Sequence, residues 1–189
     1  MASASLPEAC QDYQKQCEAA INQQISLELH TSYTYLSMAC HFNREDVALK
    51  NFGAYFMRLS NEGLDYVEAL MQLQNQRKGR LQLGDIAKPD VDDWCSPIFA
   101  MEYTFHLQQN TNQSLVDLHR AATEQDDKQL CDFLVIRLLQ QQAKTIKELG
   151  NHLIQLRLLR DQDFCLAEYH FNKLNLDDSD TESCPMDTE

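Results

Sequence analysis

The chain has 189 residues, 43% of them hydrophobic, with only 5 Gly and 4 Pro and a formal net charge of -13. That length carries one domain with a sizeable core, and sparse breakers between long Leu-, Gln- and Ala-rich runs predict an all-α fold. The acidity argues against nucleic-acid binding, which needs a basic face, and no apolar run approaches the roughly 20 residues of a membrane span.

The opening "MASASLPEACQDYQKQ" has no basic stretch followed by an apolar run, so no signal peptide is expected. Residues 1–9 are expected to be a flexible segment. The 7 Cys are scattered without a C-x-x-C pair, which fits free thiols in a reducing cytosol rather than a disulfide framework or a zinc ribbon. A first helix is predicted from about Cys10 to His41, then a polar break at "FNRED", then a second helix from about Val47 to Gln76. The connection "RKGRLQLGDIAKPDVDDWC" is unusually long for a compact domain. In a bundle it predicts a crossover between two parallel helices. The third helix has Ser96 as N-cap and Pro97 at its first position, and ends near Thr123. Asp127 is a plausible cap for a fourth helix that reaches Arg160, with a bend expected at Gly150. "FCLAEYHFNKL" is long enough for a short fifth helix, so the folded body is expected to span residues 10–174. The tail, 175–189, contains "DDSDTESCPMDTE", with six acids and no base, a composition that predicts disorder.

Apolar residues recur at alternating three and four along each helix, which marks the core face. Four polar or small positions interrupt these stripes at similar depth: Glu28 with Tyr35 on helix one, Gly63 with Tyr66 on helix two, Gln108 on helix three and Gln142 on helix four. Buried polar groups need partners. Two readings follow. One is a satisfied hydrogen-bond network, for example Glu28 with Tyr35 and Gln142; the other is a metal site. Glu62, Asp65 and Glu68 lie beside the helix-two stripe. A run of acids is usually a solvated face. Glu102/His106 and Glu148/His152 have the i, i+4 spacing of a helical chelate, but such pairs are usually solvated neighbours. No phosphate-binding glycine loop and no nucleophile triad is present.

The segments "AAINQQISLEL", "YLSM", "DVALKNF", "LQNQRKGR", "NQSLVDLH", "LCDF", "KTIKELGNH" and "LAEYHF" resemble the animal ferritin heavy-type subunit, over about Tyr13 to Leu176. The resemblance implies a ferritin-like four-helix bundle with a short fifth helix. It also implies assembly into a hollow 24-subunit cage, with itself or with other ferritin subunits, that stores iron as a ferric mineral. An active heavy-type subunit holds two irons with a Glu on helix one, Glu-x-x-His on helix two, a Glu on helix three and a nearby Gln on helix four, assisted by a Tyr. Glu28, Tyr35 and Gln142 match. Gly63 and Tyr66 replace the Glu-x-x-His pair and Gln108 replaces the third carboxylate. Two ferrous ions carry four positive charges, and hard cations want several anionic oxygens. Fast ferroxidase activity is therefore expected to be lost, with slow residual oxidation left open.

In the family, positions matching Glu62, Asp65 and Glu68 face the cage cavity and help nucleate mineral. The three-fold iron channels are lined by an Asp and a Glu, with a Cys and a His nearby; here Asp132, Cys131 and His119 match, and Val135 replaces the Glu. His170 stands on the fifth helix where a Leu is usual at the four-fold axis. The expected function is thus a non-enzymatic iron-storage cage subunit, with iron its cargo, no organic cofactor, and no nucleic-acid or membrane partner. A non-iron interaction module that keeps the bundle and modulates mixed cages is the alternative. An active ferroxidase and a secreted four-helix cytokine are further readings, opposed by the lost ligands and by the missing signal sequence. A cytoplasmic location is expected, and no nuclear address signal is legible either way.

Overall fold

The computed structural model describes residues 8–160. The expected fifth helix with His170, the tail 175–189 and most of the segment 1–9 lie outside the described residues. Helix α1 spans Glu8–Phe42, α2 Lys50–Gln76 and α3 Pro97–Glu124. The last arm is α4 (Lys128–Leu134), a five-residue π-helical stretch (Val135–Leu139), and α5 (Gln140–Arg160). The described residues contain no strand, as an all-α four-helix bundle requires, and no helix long and apolar enough to cross a membrane.

Two predicted caps form. Ser96 Oγ accepts from the Phe99 N–H at 3.3 Å, with Pro97 opening α3, and Asp127 Oδ1 accepts from the Leu130 N–H at 3.1 Å at the start of α4. Helix α2 begins at Lys50, not Val47, because Ala48 has φ 55° and the Ala48 N–H bonds back to Arg44. A left-handed residue at that point cannot belong to a right-handed helix. Helix α5 runs through Gly150 without a break, and the ladder changes earlier, at Val135–Leu139.

Residues 77–96 carry no regular secondary structure, yet they are tied along α1. The Asn22 side chain donates to Arg80 O at 2.9 Å, His30 Nδ1 donates to Ala87 O at 3.1 Å, and Trp94 Nε1 donates to Ser37 Oγ at 3.1 Å. The connection therefore climbs α1 from its N-terminal to its C-terminal half. Because α2 ends beside Glu18, where Gln74 donates to the Glu18 carbonyl, the climb returns the chain to the end where α2 began. α3 thus starts parallel to α2, as the predicted crossover requires.

The core falls into two clusters. One gathers Met38, Phe42, Phe52, Phe56, Trp94, Met101 and Leu153; the other gathers Ile21, Ile25, Leu70, Leu73, Leu115, Leu134 and Leu138. Between them, every arm of the bundle contributes buried polar or small residues: Glu28, Thr31 and Ser32, then Gly63, then Gln108 and Thr111, then Gln142 and Thr145. This polar belt is the layer that the interrupted stripes predict.

Candidate metal centre and its remnants

Each belt residue is inward because it occupies a core-stripe position of its helix. Gln108 joins three helices. Its Nε2 donates to Tyr35 Oη at 2.8 Å, and its Oε1 accepts from Gln142 Nε2, which also reaches the Gln108 carbonyl at 3.3 Å. The network differs from the expected one of Glu28, Tyr35 and Gln142. Glu28 stands outside it and takes one bond, from Gln24 Nε2 one turn earlier, at 3.0 Å. Gln24 is fully buried and fits that i, i+4 position; its spacing was the available signal, since it lies one turn before Glu28 on the same face.

Glu28 is 2% exposed. Burial pushes its carboxyl up to about 7, and the bond from Gln24 only partly opposes this. Among the described residues no cationic side chain pairs with it. Burial likewise raises the Tyr35 hydroxyl well above its ordinary value, against the bond from Gln108. The space enclosed by Glu28, Thr31, Tyr35, Gly63, Gln108 and Gln142 amounts to about 10 Å³, the size of one water.

Gly63 is buried against α1. A Cβ placed there would collide with Ser32 Oγ, and Ser60 Oγ donates to the Ser32 carbonyl at 2.9 Å. Two small residues on α2 thus let Ser32 approach closely, so Ser32 fills the space beside Gly63. Tyr66 does not point fully into the core; it is half-buried at the rim of the cavity. Burial, followed by the nearby Glu62 and Glu28 carboxylates, raises its hydroxyl above the ordinary range.

On the flank, Asp65 and Glu68 are exposed and Glu62 is half-buried. Arg58 Nη1 donates to Glu62 Oε1 at 2.8 Å, and Gln72 Nε2 donates to Glu68 Oε1 at 2.9 Å. Among the described residues no three His, Cys, Asp or Glu side chains come together as a group that could hold a metal ion. The three flank acids share a helix face without converging on one point within the subunit.

The residues that the resemblance assigns to a three-fold channel lie where α3 meets α4. Cys131 is half-buried beside the His119 carbonyl, with Sγ 3.5 Å from Thr123 Oγ1; Asp132 is exposed, and Val135 opens the π-helical stretch. Cys17, Cys40, Cys95 and Cys131 are free thiols. The two i, i+4 pairs are engaged elsewhere: Glu102 pairs with Arg157 at 2.6 Å, and Glu148 lies 3.8 Å from Lys144 while His152 packs edge-on to Tyr55.

The family model of the ferritin-like domain matches residues 18–159. The chain belongs to the ferritin family. This ferritin-family chain has an all-helical bundle like that expected of its family. At its centre Tyr35, Gln108 and Gln142 form a neutral amide–phenol chain. Sequence reasoning missed one further constellation in this ferritin bundle. The Arg77 guanidinium clasps the Asp127 carboxylate, which also accepts from Tyr13 Oη at 2.9 Å. It ties α1, the end of α2 and the cap of α4 together. Burial alone would raise the Asp127 carboxyl; Arg77, the Leu130 N–H and Tyr13 outweigh it and hold it below the usual range.

Proposed function

We propose that this chain is an iron-storage-type ferritin subunit without a working di-iron oxidation centre. It would build cages alone or with other ferritin subunits, supplying shell and mineral surface and lowering the density of oxidase sites. The observation that carries the reading is the Tyr35–Gln108–Gln142 hydrogen-bond chain. It links α1, α3 and α5 through neutral groups and leaves water-sized space.

The residues present do not fit two ferrous ions. Glu28 is one carboxylate, held largely protonated below about pH 7. Glu62, at the rim, is already neutralised by Arg58. Gly63 supplies no ligand atom. Hard cations need several anionic oxygens to repay their dehydration. Iron that reaches the shell is therefore expected to oxidise slowly and to collect on exposed acids such as Asp65 and Glu68. Val135 removes one carboxylate ring from the expected entry channel, which weakens cation focusing there.

Two measurements test this. Light scattering across a size-exclusion column should give a mass near twenty-four times the 21.9 kDa subunit; a mass of one or two subunits would overturn the cage. Ferrous iron added to the purified protein in oxygenated buffer should show no fast oxygen-consuming phase, and a burst at the level of active heavy-type cages would sink the loss of the di-iron centre.

A further inference from the structure

Glu28, Thr31 and Tyr35 stand on successive turns of one face of α1, and all three border the belt cavity. Each brings an oxygen with bonding capacity left over. Thr31 is 1% exposed, and its Oγ1 has no hydrogen-bond partner. Glu28 accepts from Gln24 through Oε1, while Oε2 takes no bond within the described residues. Tyr35 Oη accepts from Gln108 at 2.8 Å, so its own proton is still to be given. Gln24 Oε1 and Ser32 Oγ are also unpaired, but neither residue borders this space.

Buried hydroxyls in native cores are rarely left without a partner. The space of about 10 Å³ admits one small ligand, and its lining decides which. An apolar guest would leave all three oxygens unmet. A bare monovalent cation could draw on Thr31 and Glu28, but it could not accept the Tyr35 proton. Water both donates and accepts. It can accept from Tyr35 Oη, donate to Glu28 Oε2 and pair with Thr31 Oγ1 in either sense, which makes up the about three bonds typical of a buried water.

We propose that the belt cavity is the binding site of one structural water, held by Thr31, Glu28 and Tyr35. That water joins Glu28 to the amide–phenol chain from which it otherwise stands apart. Hydrogen bonds then run unbroken from Gln24 to Gln142 and link α1, α3 and α5. The inference rests on the storage reading only in taking this space to be free of iron.

The test is crystallography of the assembled full-length protein, at a resolution that shows ordered solvent, with melting curves of the same proteins. The parent map should hold one solvent peak at about 2.7–3.2 Å from Thr31 Oγ1, Glu28 Oε2 and Tyr35 Oη. Thr31→Ser, which keeps the hydroxyl, should keep the peak. Thr31→Val, of similar size but without a hydroxyl, should lose it and melt about 2–4 °C lower. The sign is decisive, because removing a hydroxyl that bonds to nothing would raise the melting temperature. The proposal is overturned by a parent map without the peak, by a peak that outlasts the Thr31 hydroxyl, or by a Thr31→Val protein that melts no lower than the parent. Crystals soaked anaerobically in ferrous iron separate the two readings. A solvent peak that stays and carries no iron signal is the expected result. An iron anomalous peak in this space overturns the water and the storage reading together, whereas a map with neither peak overturns the water alone.

Discussion

Gln108 donates to the Tyr35 hydroxyl across the bundle at 2.8 Å while accepting from Gln142. One neutral side chain thereby satisfies the phenol of α1 and the amide of α5 in a layer that water barely enters. Gln108→Leu would leave the Tyr35 hydroxyl buried without this partner and Gln142 with only its bond to the residue-108 backbone carbonyl. The expected cost is about 2 kcal/mol, since an unsatisfied buried polar group costs about 1–3 kcal/mol. Thermal unfolding should show it, and a variant as stable as the parent would mean that the chain of amides is not structural.

Glu28 gives the fold a pH dependence of definite sign. Its folded pKa of about 7 lies above the ordinary value of 4.5. The folded state therefore holds this proton more tightly than the unfolded state, and stability is lost as pH rises between those two values. Glu28→Gln removes the penalty while keeping an acceptor for Gln24. It should match the parent below about pH 4.5 and exceed it above pH 7 by up to about 3 kcal/mol. Melting temperatures of both proteins from pH 4.5 to 8.5 check the sign; a constant offset across the range would contradict it.

The contact between Gly63 and Ser32 calls for a double-mutant cycle. Replacing a helical Gly by Ala ordinarily stabilises by about 1 kcal/mol. Here the new methyl meets Ser32 Oγ. Gly63→Ala should forfeit that gain in the parent and recover it in a Ser32→Ala background. Equal effects in the two backgrounds would show that the serine simply turns aside.

Asp127 caps α4 and pairs with Arg77, whose side chain is only 19% exposed. Asp127→Ala should cost about 3 kcal/mol, from a lost cap and a stranded guanidinium. Because the folded carboxyl is held below its ordinary range, its contribution is present above the unfolded value and fades as pH falls through the folded one. The gap between parent and variant should therefore close in strong acid, as chemical denaturation at pH 7 and in strong acid would reveal.

The sequence made the helices and the inward direction of Glu28, Gln108 and Gln142 legible, because three-and-four spacing and the capping residues Ser96 and Asp127 are local signals. What it hid depends on residues far apart in the chain. Arg77 meets Asp127 across 50 positions, and Tyr13 meets it across 114. Which amide bonds to which phenol follows from side-chain reach across the bundle, and no periodicity encodes it. Gly63 looks in sequence like a lost ligand; packing adds that Ser32 has taken up the room. The start of α2 was misplaced because Val47–Leu49 has apolar spacing, while Ala48 obeys a turn.

The belt between the two apolar clusters also acts as a fracture plane. Each end of the bundle keeps its own greasy plug, so an opening at the Trp94 end need not unzip the Leu70 end. Amide exchange should then divide the molecule crosswise. Each long helix would carry two protection classes meeting near Glu28, Gly63, Gln108 and Gln142, rather than one class per helix.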